Sequence, residues 1–417
     1  MSAVTDEPVG PRAEVIVHSA VILDGPEHAP AVLRAQTSQS TGGVADGWIA
    51  VADGVITARG RGTDWTGLVT SATVEVVDAA GARLAPAYVD MHCHGAGGFG
   101  AEDGAHGLPG LLGVHRAHGT GRIVLSFVAD TVENLCRSLV EAARTTAGDP
   151  MVLGLHAEGP FLAPGFHGAH RPEALTAPTA EAVDRILAAA DGALVQVTLA
   201  PELPGALEAI SRFVSAGVKV AVGHTGATCA EAARAFDAGA SILTHTFNGM
   251  PGIHHREPGP ILAAVDAGHV TLELIADGVH VDPAAMRMIA ALAPGRIALI
   301  SDALPATGMG DGPFRLGGRA VHVEESIARV LDPEGRPGAL AGSTLTLDRA
   351  VARAVDAEAM TPLEAVRAAS LVPFRALGLV DRDSGALLDV GRTADFLLLD
   401  DGMAVGRGWI GGDPLPR

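Results

Sequence analysis

Short apolar runs rich in β-branched residues alternate with amphipathic stretches through the middle of the chain. Eight of these runs have the length of one strand: Ala87–His92, Ile123–Phe127, Val152–His156, Val195–Leu199, Val218–Val222, Ser241–His245, Val270–Ile275 and Ile297–Ser301. Helical patterns separate several of them, at Ala180–Ala190, Gly205–Ala216, Ala230–Ala238 and Pro283–Leu292. Continuous apolar runs are typical of parallel strands that are buried on both faces. The pattern therefore predicts an α/β fold, a (β/α)8 TIM-like barrel whose active site lies at the carboxyl ends of its strands. An open, doubly wound sheet is the alternative for the same pattern.

The two ends of the chain carry a different pattern, with short β-type runs next to turn residues. The runs and turns are Ala13–Val17, Trp48–Val51, Asp53–Gly54, Val74–Val77, Asp395–Leu399 and Asp400–Gly402. Asp-Gly between two β-type runs is a hairpin signal. The polar stretch Gly25–Asp46 is predicted to be a loop. We expect residues 1–84 and 376–417 to form one small β-sandwich module, with the barrel at residues 85–375 inserted between them.

Histidines and acids occupy the predicted strand ends. They are His92 and His94 after strand one, Glu158 after strand three, His224 after strand five, His245 after strand six and Asp302 after strand eight. Side chains alternate along a strand, so the His-x-His pair directs both imidazoles to the same side. A single histidine at a strand end is more often structural or solvated. Six such groups at one end of a barrel indicate a metal site, for Zn²⁺ or alternatively Fe²⁺, Mn²⁺ or Co²⁺.

Composition narrows the choice of partners and compartment. The formal net charge is −19 over 417 residues, which makes nucleic acid and anionic membranes unfavourable partners. Three cysteines without a CxxC pair support neither a disulfide framework nor a thiolate zinc site. Residues 1–12 lack the apolar core of a signal peptide, and no apolar run approaches the roughly 18–20 residues of a membrane span. We therefore expect a cytoplasmic protein.

Several motifs resemble those of known enzymes. Val89–Gly95, with the sequence VDMHCHG, resembles the opening motif of the amidohydrolase superfamily. Other segments resemble the N-acetylglucosamine-6-phosphate deacetylase family in particular, in the family's order and over nearly the whole chain: Leu155–Phe161, Gly168–His170, His245–Met250, Ala276–His280 and Leu340–Ser343. Ala157, Gly249 and Ser301 depart from the residues usual there, but none of these departures removes a reactive group.

The resemblance implies a metal-dependent amidohydrolase that converts N-acetylglucosamine 6-phosphate into glucosamine 6-phosphate and acetate. It implies Glu158, His224 and His245 as ligands of the principal ion. His92 and His94 would complete a second metal position, which some family members lack, so the resemblance implies one or two ions per subunit. In this scheme a bound metal lowers the pKa of water towards about 7, and Asp302 is the general base and acid. His170 would lie beside the acetyl carbonyl. The implied substrate-binding residues are Ala169, Asn248, Gly249, Arg256, His280, Leu340, Ala341 and Gly342. The phosphate-binding arginine can come from a neighbouring subunit in this family, which implies a homodimer.

Other titratable residues are interpreted as structural. His156 is expected to lie behind the ligands, Cys93 to be packed, and His254 and His255 to be solvated or at a subunit interface. His106, His115, His118 and His167 have no strand-end placement. Many binuclear amidohydrolases bridge their metals with a carboxylated lysine, but Lys219, the only lysine, lies at the wrong end of strand five.

Two alternatives remain open on the sequence. One is an amidohydrolase of the same site type acting on another N-acyl substrate, such as N-acetylgalactosamine 6-phosphate or an N-acyl-D-amino acid. The other is a non-catalytic regulator that binds a sugar phosphate.

Overall fold

The protein is described from a computed structural model that covers residues 13–24, 43–380 and 386–415. The chain divides into two compact units, Met1–Ala87 with Arg382–Arg417, and Tyr88–Asp381. Most of the predicted loop Gly25–Asp46 lies outside the described residues. Its predicted end was wrong, because a strand begins at Val44 and its buried residues from Gly47 onward pack into the sheet.

The first five strands belong to the first unit. They are β1 Val15–Ile22, β2 Val44–Ala52, β3 Val55–Arg61, β4 Glu75–Asp78 and β5 Arg83–Pro86. The predicted Asp53–Gly54 turn joins β2 to β3, and both of its residues have positive φ, as this hairpin type requires.

The second unit is built on eight parallel strands. They are β6 Tyr88–Cys93, β9 Thr120–Phe127, β10 Val152–Glu158, β11 Leu194–Leu199, β12 Lys219–Val222, β13 Ile242–Leu243, β14 Thr271–Ile275 and β15 Ile297–Ile300. Their order in the sheet is the order in the chain, from β6 to β15. A parallel bridge between Cys93 and Ala303 joins the first strand to the end of the last. The predicted barrel is therefore confirmed, and each of the eight strands lies where the apolar pattern placed it.

The open-sheet alternative was wrong, because a doubly wound sheet reverses its strand order at a switch point whereas these eight strands follow the order of the chain. The segment after β6 differs from a dinucleotide-binding sheet as well. Gly95–Gly100 reads G-x-G-x-x-G, which in a dinucleotide-binding sheet leads directly into a helix. Here it folds back on itself as the antiparallel pair β7 Gly95–Ala96 and β8 Phe99–Gly100.

Helices follow most of the barrel strands: α1 Gly104–Ala117, α2 Val132–Thr146, α3 Ala180–Ala190, α4 Ala206–Ser215, α5 Cys229–Asp237, α6 Gly259–Asp266, α7 Pro283–Leu292, α8 Leu347–Asp356, α9 Pro362–Ala368 and α10 Leu371–Ala376. Their starts are encoded locally. Thr228 accepts from the Glu231 amide while the Glu231 carboxylate accepts from the Thr228 amide, which satisfies two otherwise unpaired donors. Of the helices in the described ranges, none has the length and apolar character needed to cross a membrane.

A four-stranded antiparallel sheet after the last barrel strand was not predicted. It consists of β16 Gly312–Leu316, β17 Arg319–Glu324, β18 Ile327–Leu331 and β19 Pro337–Leu340. Val321 and Val323 are buried while His322 and Glu324 are exposed. That alternation, with Gly317-Gly318 in the first turn, is a hairpin signal that the sequence contained.

The last strands, β20 Phe396–Leu399, β21 Val405–Ile410 and β22 Asp413–Pro414, return to the first unit. They complete one sheet in the order β22-β21-β20-β5-β1-β2-β3, with β4 paired to β1. Phe396 pairs with Pro86 of β5 and with Trp409 of β21. The predicted β module formed by both ends of the chain is confirmed.

Candidate metal centre

Three of the polar residues at the strand ends have a left-handed backbone. His224 has φ 47°, His245 φ 24° and Asp302 φ 48°. Such conformations cost about 1–3 kcal/mol in non-glycine residues and are found chiefly where surrounding contacts hold them. At Asp302 those contacts are an amide that donates to the His92 carbonyl at 3.0 Å and a carbonyl that accepts from the Ser343 amide at 2.7 Å.

Glu158, the last residue of β10, lies at the centre of the cluster. Its Oε1 is 3.2 Å from Nε2 of His224 and 3.2 Å from Nε2 of His245. Those two nitrogens are 3.0 Å apart. The three side chains predicted to bind the principal ion are therefore brought together, although they come from three different strands.

The His-x-His pair approaches the same carboxylate from the other side. Nε2 of His94 is 3.2 Å from Glu158 Oε2 and 3.4 Å from Asp302 Oδ1. Nε2 of His92 is 3.6 Å from Glu158 Oε1 and 3.7 Å from Asp302 Oδ1. Glu158 thus lies between the two histidine groups, the position that a bridging carboxylate needs.

Hydrogen bonds at the outer nitrogens fix the tautomers of three of these histidines. Nδ1 of His94 contacts the Ser126 carbonyl at 3.0 Å, and Nδ1 of His224 contacts the Phe166 carbonyl at 2.8 Å. Because a carbonyl can only accept, both Nδ1 atoms carry a proton, so in the neutral rings it is the Nε2 lone pairs that face the cluster. The same holds for His92, whose Nδ1 donates to a buried carboxylate at 3.0 Å.

This donor set fits a divalent metal. Nε2 of His92 and Nε2 of His94 are 3.2 Å apart, and in the neutral tautomers neither can donate to the other. The neighbouring carboxylates raise the pKa of both rings against the effect of burial, so without a metal these Nε2 atoms hold protons. A bound cation would take the place of those protons. Ligand atoms about 2.0–2.2 Å from a tetrahedral Zn²⁺ lie about 3.3–3.6 Å apart, close to the 3.0–3.2 Å separations among Glu158, His224 and His245.

His170 lies in the same cluster but has the opposite tautomer. Its Nδ1 accepts from the Ala129 amide at 3.1 Å, so in the neutral ring Nε2 carries the proton. Burial is the main cause that lowers the pKa of His170, to about 4, which keeps the ring neutral at physiological pH. Nε2 of His170 is 3.3 Å from Glu158 Oε2, so it is a donor directed into the site and lacks the lone pair that a metal ligand needs there.

Charges in the cluster keep the two carboxylates ionised. Burial alone would raise the pKa of Glu158, but the surrounding histidines, His92 first among them, hold that pKa well below its usual range. Burial likewise opposes ionisation of Asp302, and the hydrogen bond from His94 and the charge of His92 outweigh it, so the pKa of Asp302 is lowered. Both groups therefore accept protons and bind cations at neutral pH.

Two glycines predicted to bind substrate hold the backbone close to the cluster. Gly249 has φ 58°, and an added Cβ would lie 3.0 Å from Nδ1 of His224. Gly342 also has φ 58°, and an added Cβ would lie 2.8 Å from the Asp302 carbonyl. The Leu340–Gly342 segment is thereby placed next to Asp302, with Ala341 fully buried and Leu340 half-buried.

The remaining predicted substrate residues occupy loops around the same end of the barrel. Asn248 Nδ2 donates to the carbonyls of His245 and Thr246. His280 pairs with Asp277 at 2.7 Å, and the negative charges of Asp277 and Asp302 raise the pKa of His280 against the effect of its burial. Arg256 is exposed.

Arg319, at the start of β17, was missed by the sequence reasoning. Its Nη1 donates to the Ala169 carbonyl at 3.4 Å and to the His170 carbonyl at 3.2 Å. The unpredicted four-stranded sheet therefore supports the loop that carries His170.

Glu273 in the middle of β14 was also missed. It is fully buried and accepts from Nδ1 of His92. A charged residue within the apolar run Thr271-Leu272-Glu273-Leu274-Ile275 was the signal that could have identified it, because an unpaired charge is rarely buried.

Several of the histidines interpreted as structural form hydrogen bonds to residues outside the metal cluster. His156 hydrogen-bonds to Ser126 Oγ at 2.9 Å and Thr198 Oγ1 at 2.8 Å. His115 lies 3.1 Å from Cys93 Sγ, and His118 pairs with Asp348 at 2.9 Å. His254 and His255 are exposed.

Comparison with known proteins places the chain among enzymes of one family. Residues 83–415 match the model of the Amidohydrolase family. A relative from Escherichia coli O157:H7 named N-acetylgalactosamine-6-phosphate deacetylase is 39% identical over 376 residues, which are 88% of this chain and 95% of that protein. The Bos taurus N-acetylglucosamine-6-phosphate deacetylase is 34% identical over 352 residues, 81% of this chain and 84% of that protein. The crystal structure of N-acetyl-D-glucosamine-6-phosphate deacetylase from Mycobacterium smegmatis has a TM-score of 0.85 and 35% identity, and the match covers 96% of this chain and 100% of that chain.

Proposed function

The chain belongs to the amidohydrolase family, and on that premise we propose that it is a metal-dependent deacetylase of N-acetylglucosamine 6-phosphate. The products are glucosamine 6-phosphate and acetate. The family and the named relatives make it a hydrolase of an acetylated amino-sugar phosphate.

One observation carries the proposal. Glu158, His224 and His245 converge to within 3.0–3.2 Å of one another, and Asp302 lies at the same cluster. A regulator that only bound the sugar phosphate would need the pocket but would have no use for an ionised carboxylate beside a cation site. The catalytic interpretation is therefore favoured over the binding protein.

The residues of this chain then divide the work of hydrolysis. A bound divalent ion supplies Lewis acidity, lowering the pKa of water from about 16 to about 7 and polarising the carbonyl. Asp302 accepts the proton of the attacking water as the new C–O bond forms, and it delivers that proton to the amine nitrogen as the C–N bond breaks. His170 donates from Nε2 to the carbonyl oxygen as negative charge develops there.

The phosphate and the sugar are assigned to the surrounding loops. Arg256 and His280 bind the phosphate, and Ala169, Asn248, Gly249 and Leu340–Gly342 line the sugar and acetamide positions. Arginine suits phosphate because its planar fork donates two parallel hydrogen bonds. The exposure of Arg256 fits a homodimer in which it acts in a neighbouring subunit, and sedimentation analysis checks that state. We place this dimer in the cytoplasm.

N-acetylgalactosamine 6-phosphate is the second candidate substrate, because the relative that is 39% identical carries that name. The two sugars differ only in configuration at one carbon, and both present the same acetamide and phosphate to the site. Values of kcat/KM for the two substrates, measured side by side, decide between them. A higher kcat/KM for N-acetylgalactosamine 6-phosphate would change the assigned substrate but not the assigned reaction.

Chelation followed by re-addition of single metals tests the proposed chemistry. We expect acetate release to fall at least about 100-fold after chelation and to return with Zn²⁺, or with Fe²⁺, Mn²⁺ or Co²⁺. Ions counted per chain by mass spectrometry distinguish one from two. Undiminished acetate release from demonstrably metal-free protein would refute the proposal. Unphosphorylated N-acetylglucosamine is the matched substrate control, and we expect it to be a poor substrate.

A further inference from the structure

Glu273 is a buried carboxylate to which neither the resemblance nor the proposed reaction gives a role. It lies on β14, which pairs directly with β15, the last strand of the barrel. Its side chain and that of His92 are both fully shielded from solvent. A buried carboxylate without compensating partners is strongly destabilising, so its presence requires an explanation from its contacts.

Three donors converge on Glu273. Its Oε2 accepts from Nδ1 of His92 at 3.0 Å and from the His245 amide at 3.3 Å. Its Oε1 accepts from Nε2 of Gln196 at 2.8 Å. The side chain is therefore held from two sides, and it contacts one histidine of each metal position.

The ring contact is the informative one. Because an ionised carboxylate only accepts, it keeps the His92 proton on Nδ1 and leaves the Nε2 lone pair facing His94 and Glu158. A carboxylate behind a metal-binding histidine fixes its tautomer and orientation and makes it a stronger ligand. His94 differs, since its Nδ1 donates to the neutral Ser126 carbonyl.

We infer that Glu273 is the positioning residue for the second cation position, the one formed by His92 and His94 with Glu158. It acts through His92, and its negative charge offsets part of the charge that a second divalent ion adds to the barrel interior. This inference rests on the proposed function, because it presupposes that the cluster binds metal.

The test measures ion binding directly. Wild type, Glu273→Gln and Glu273→Leu are stripped of metal and titrated with Co²⁺, whose visible absorption reports imidazole coordination, while ions per chain are counted by mass spectrometry. Gln196 Oε1 is buried and has no hydrogen-bond partner among the residues that the structure describes, so Gln196 can rotate its amide and donate or accept as the variant requires. Glu273→Gln therefore keeps the hydrogen bonds and removes the charge, whereas Glu273→Leu removes both.

We expect the affinity for the second ion to fall about 10-fold in Glu273→Gln and about 100-fold in Glu273→Leu, with the affinity for the first ion retained. Asp348→Asn is the matched control. It alters another carboxylate–histidine pair of similar length, 2.9 Å between Asp348 and His118, where His118 precedes β9 at the opposite end of the barrel strands. Its two ion affinities should equal those of wild type.

The remaining outcomes separate the inference from the proposed function. Wild-type affinity for both ions in both Glu273 variants, or an equal loss of both ions, would overturn the inference. A wild-type protein that binds a single ion would also overturn it, while leaving single-ion hydrolysis by Glu158, His224 and His245 intact. A wild-type protein that binds no ion would refute the proposed function itself. If Glu273→Leu does not fold, as judged by circular dichroism, Glu273→Gln alone decides.

Discussion

Two buried groups of side chains that could bind a metal lie close together along the first barrel strand. They differ in solvent access and in the protonation of their side chains. One is the proposed metal centre, which includes His92, His94 and Glu158; the other is Asp90, Cys93 and His115. Both contain residue types that bind zinc. Ligand chemistry alone therefore does not separate a metal site from a packed core.

Access and protonation separate them. At the proposed metal centre, Glu158, His224 and Asp302 keep 3–7% of their surface exposed, whereas Asp90, Cys93 and His115 are fully buried. Burial raises the pKa of the Cys93 thiol well above its usual value and lowers the pKa of His115 to about 4. A protonated thiol beside a neutral imidazole is a hydrogen-bonded pair, here 3.1 Å long, and the metal ligand would be the thiolate.

The largest effect is expected from a substitution that removes the general base of the proposed metal centre. Asp302→Asn keeps the shape of the side chain but cannot accept the proton of water. We expect kcat to fall about 10²–10⁴-fold, with substrate affinity and ion content near those of wild type. Single-turnover kinetics with equilibrium binding of N-acetylglucosamine 6-phosphate checks this. Activity within about 3-fold of wild type would remove Asp302 from the proposed role.

A smaller effect, on stability, concerns the second group and depends on pH. Because burial depresses the pKa of His115, the unfolded chain takes up a proton more readily than the folded one below pH 6.5. The stabilisation is therefore present above that pH and is lost as pH falls towards 4. Compared with His115→Gln, both proteins being metal-free, wild type should lose roughly 2 kcal/mol more unfolding free energy between pH 6.5 and 4.5.

Urea unfolding at the two pH values measures this difference. Parallel pH dependence in wild type and His115→Gln would show that His115 does not titrate as a buried neutral group. His115→Gln also tests whether the second group binds metal. If it does not, the ion content of the variant at pH 7 should match that of wild type.

Loss of the Arg319 contacts should have a smaller effect on activity. Arg319 donates to two carbonyls of the loop that carries His170. Arg319→Ala should therefore let the His170 ring move while the ring itself remains in the site. We expect kcat/KM to fall about 10-fold, mainly through kcat, with ion content unchanged. Arg319→Lys is the conservative control, because it retains the positive charge but not the planar guanidinium group. Its kcat/KM should lie between those of wild type and Arg319→Ala. An Arg319→Ala enzyme as active as wild type would show that other contacts position His170.

The smallest effect is expected at Cys93. Although it lies between two proposed ligands in sequence, its Sγ contacts His115 and the Gly95 carbonyl. Cys93→Ala should lower the unfolding free energy by about 1 kcal/mol and leave kcat/KM and ion content within about 2-fold of wild type. Loss of an ion in this variant would mean that the two groups are not separate.

The barrel was predictable because its signals are local. A buried parallel strand needs a continuous apolar run, and a helix needs a periodic one, so eight strands could be placed without knowing their partners. The polar residues at the strand ends followed, since every parallel strand of a barrel ends on the same side. The four-stranded sheet at residues 312–340 was not predicted although its alternation is present, because its half-exposed strands lack the continuous apolar runs that mark buried barrel strands.

The sequence by itself determined the fold, the end of the barrel that carries the polar cluster, and the types of side chain in that cluster, because strand period and strand direction are properties of short segments. Only the tertiary structure decided which nitrogen of each histidine faces the cluster. Those tautomers depend on partners distant in the chain, such as Glu273, which is 181 residues from His92, and Arg319 reaches the His170 loop across 149 residues. A hydrogen bond at such a separation leaves no local pattern, since it exists only after the chain has closed the barrel around it.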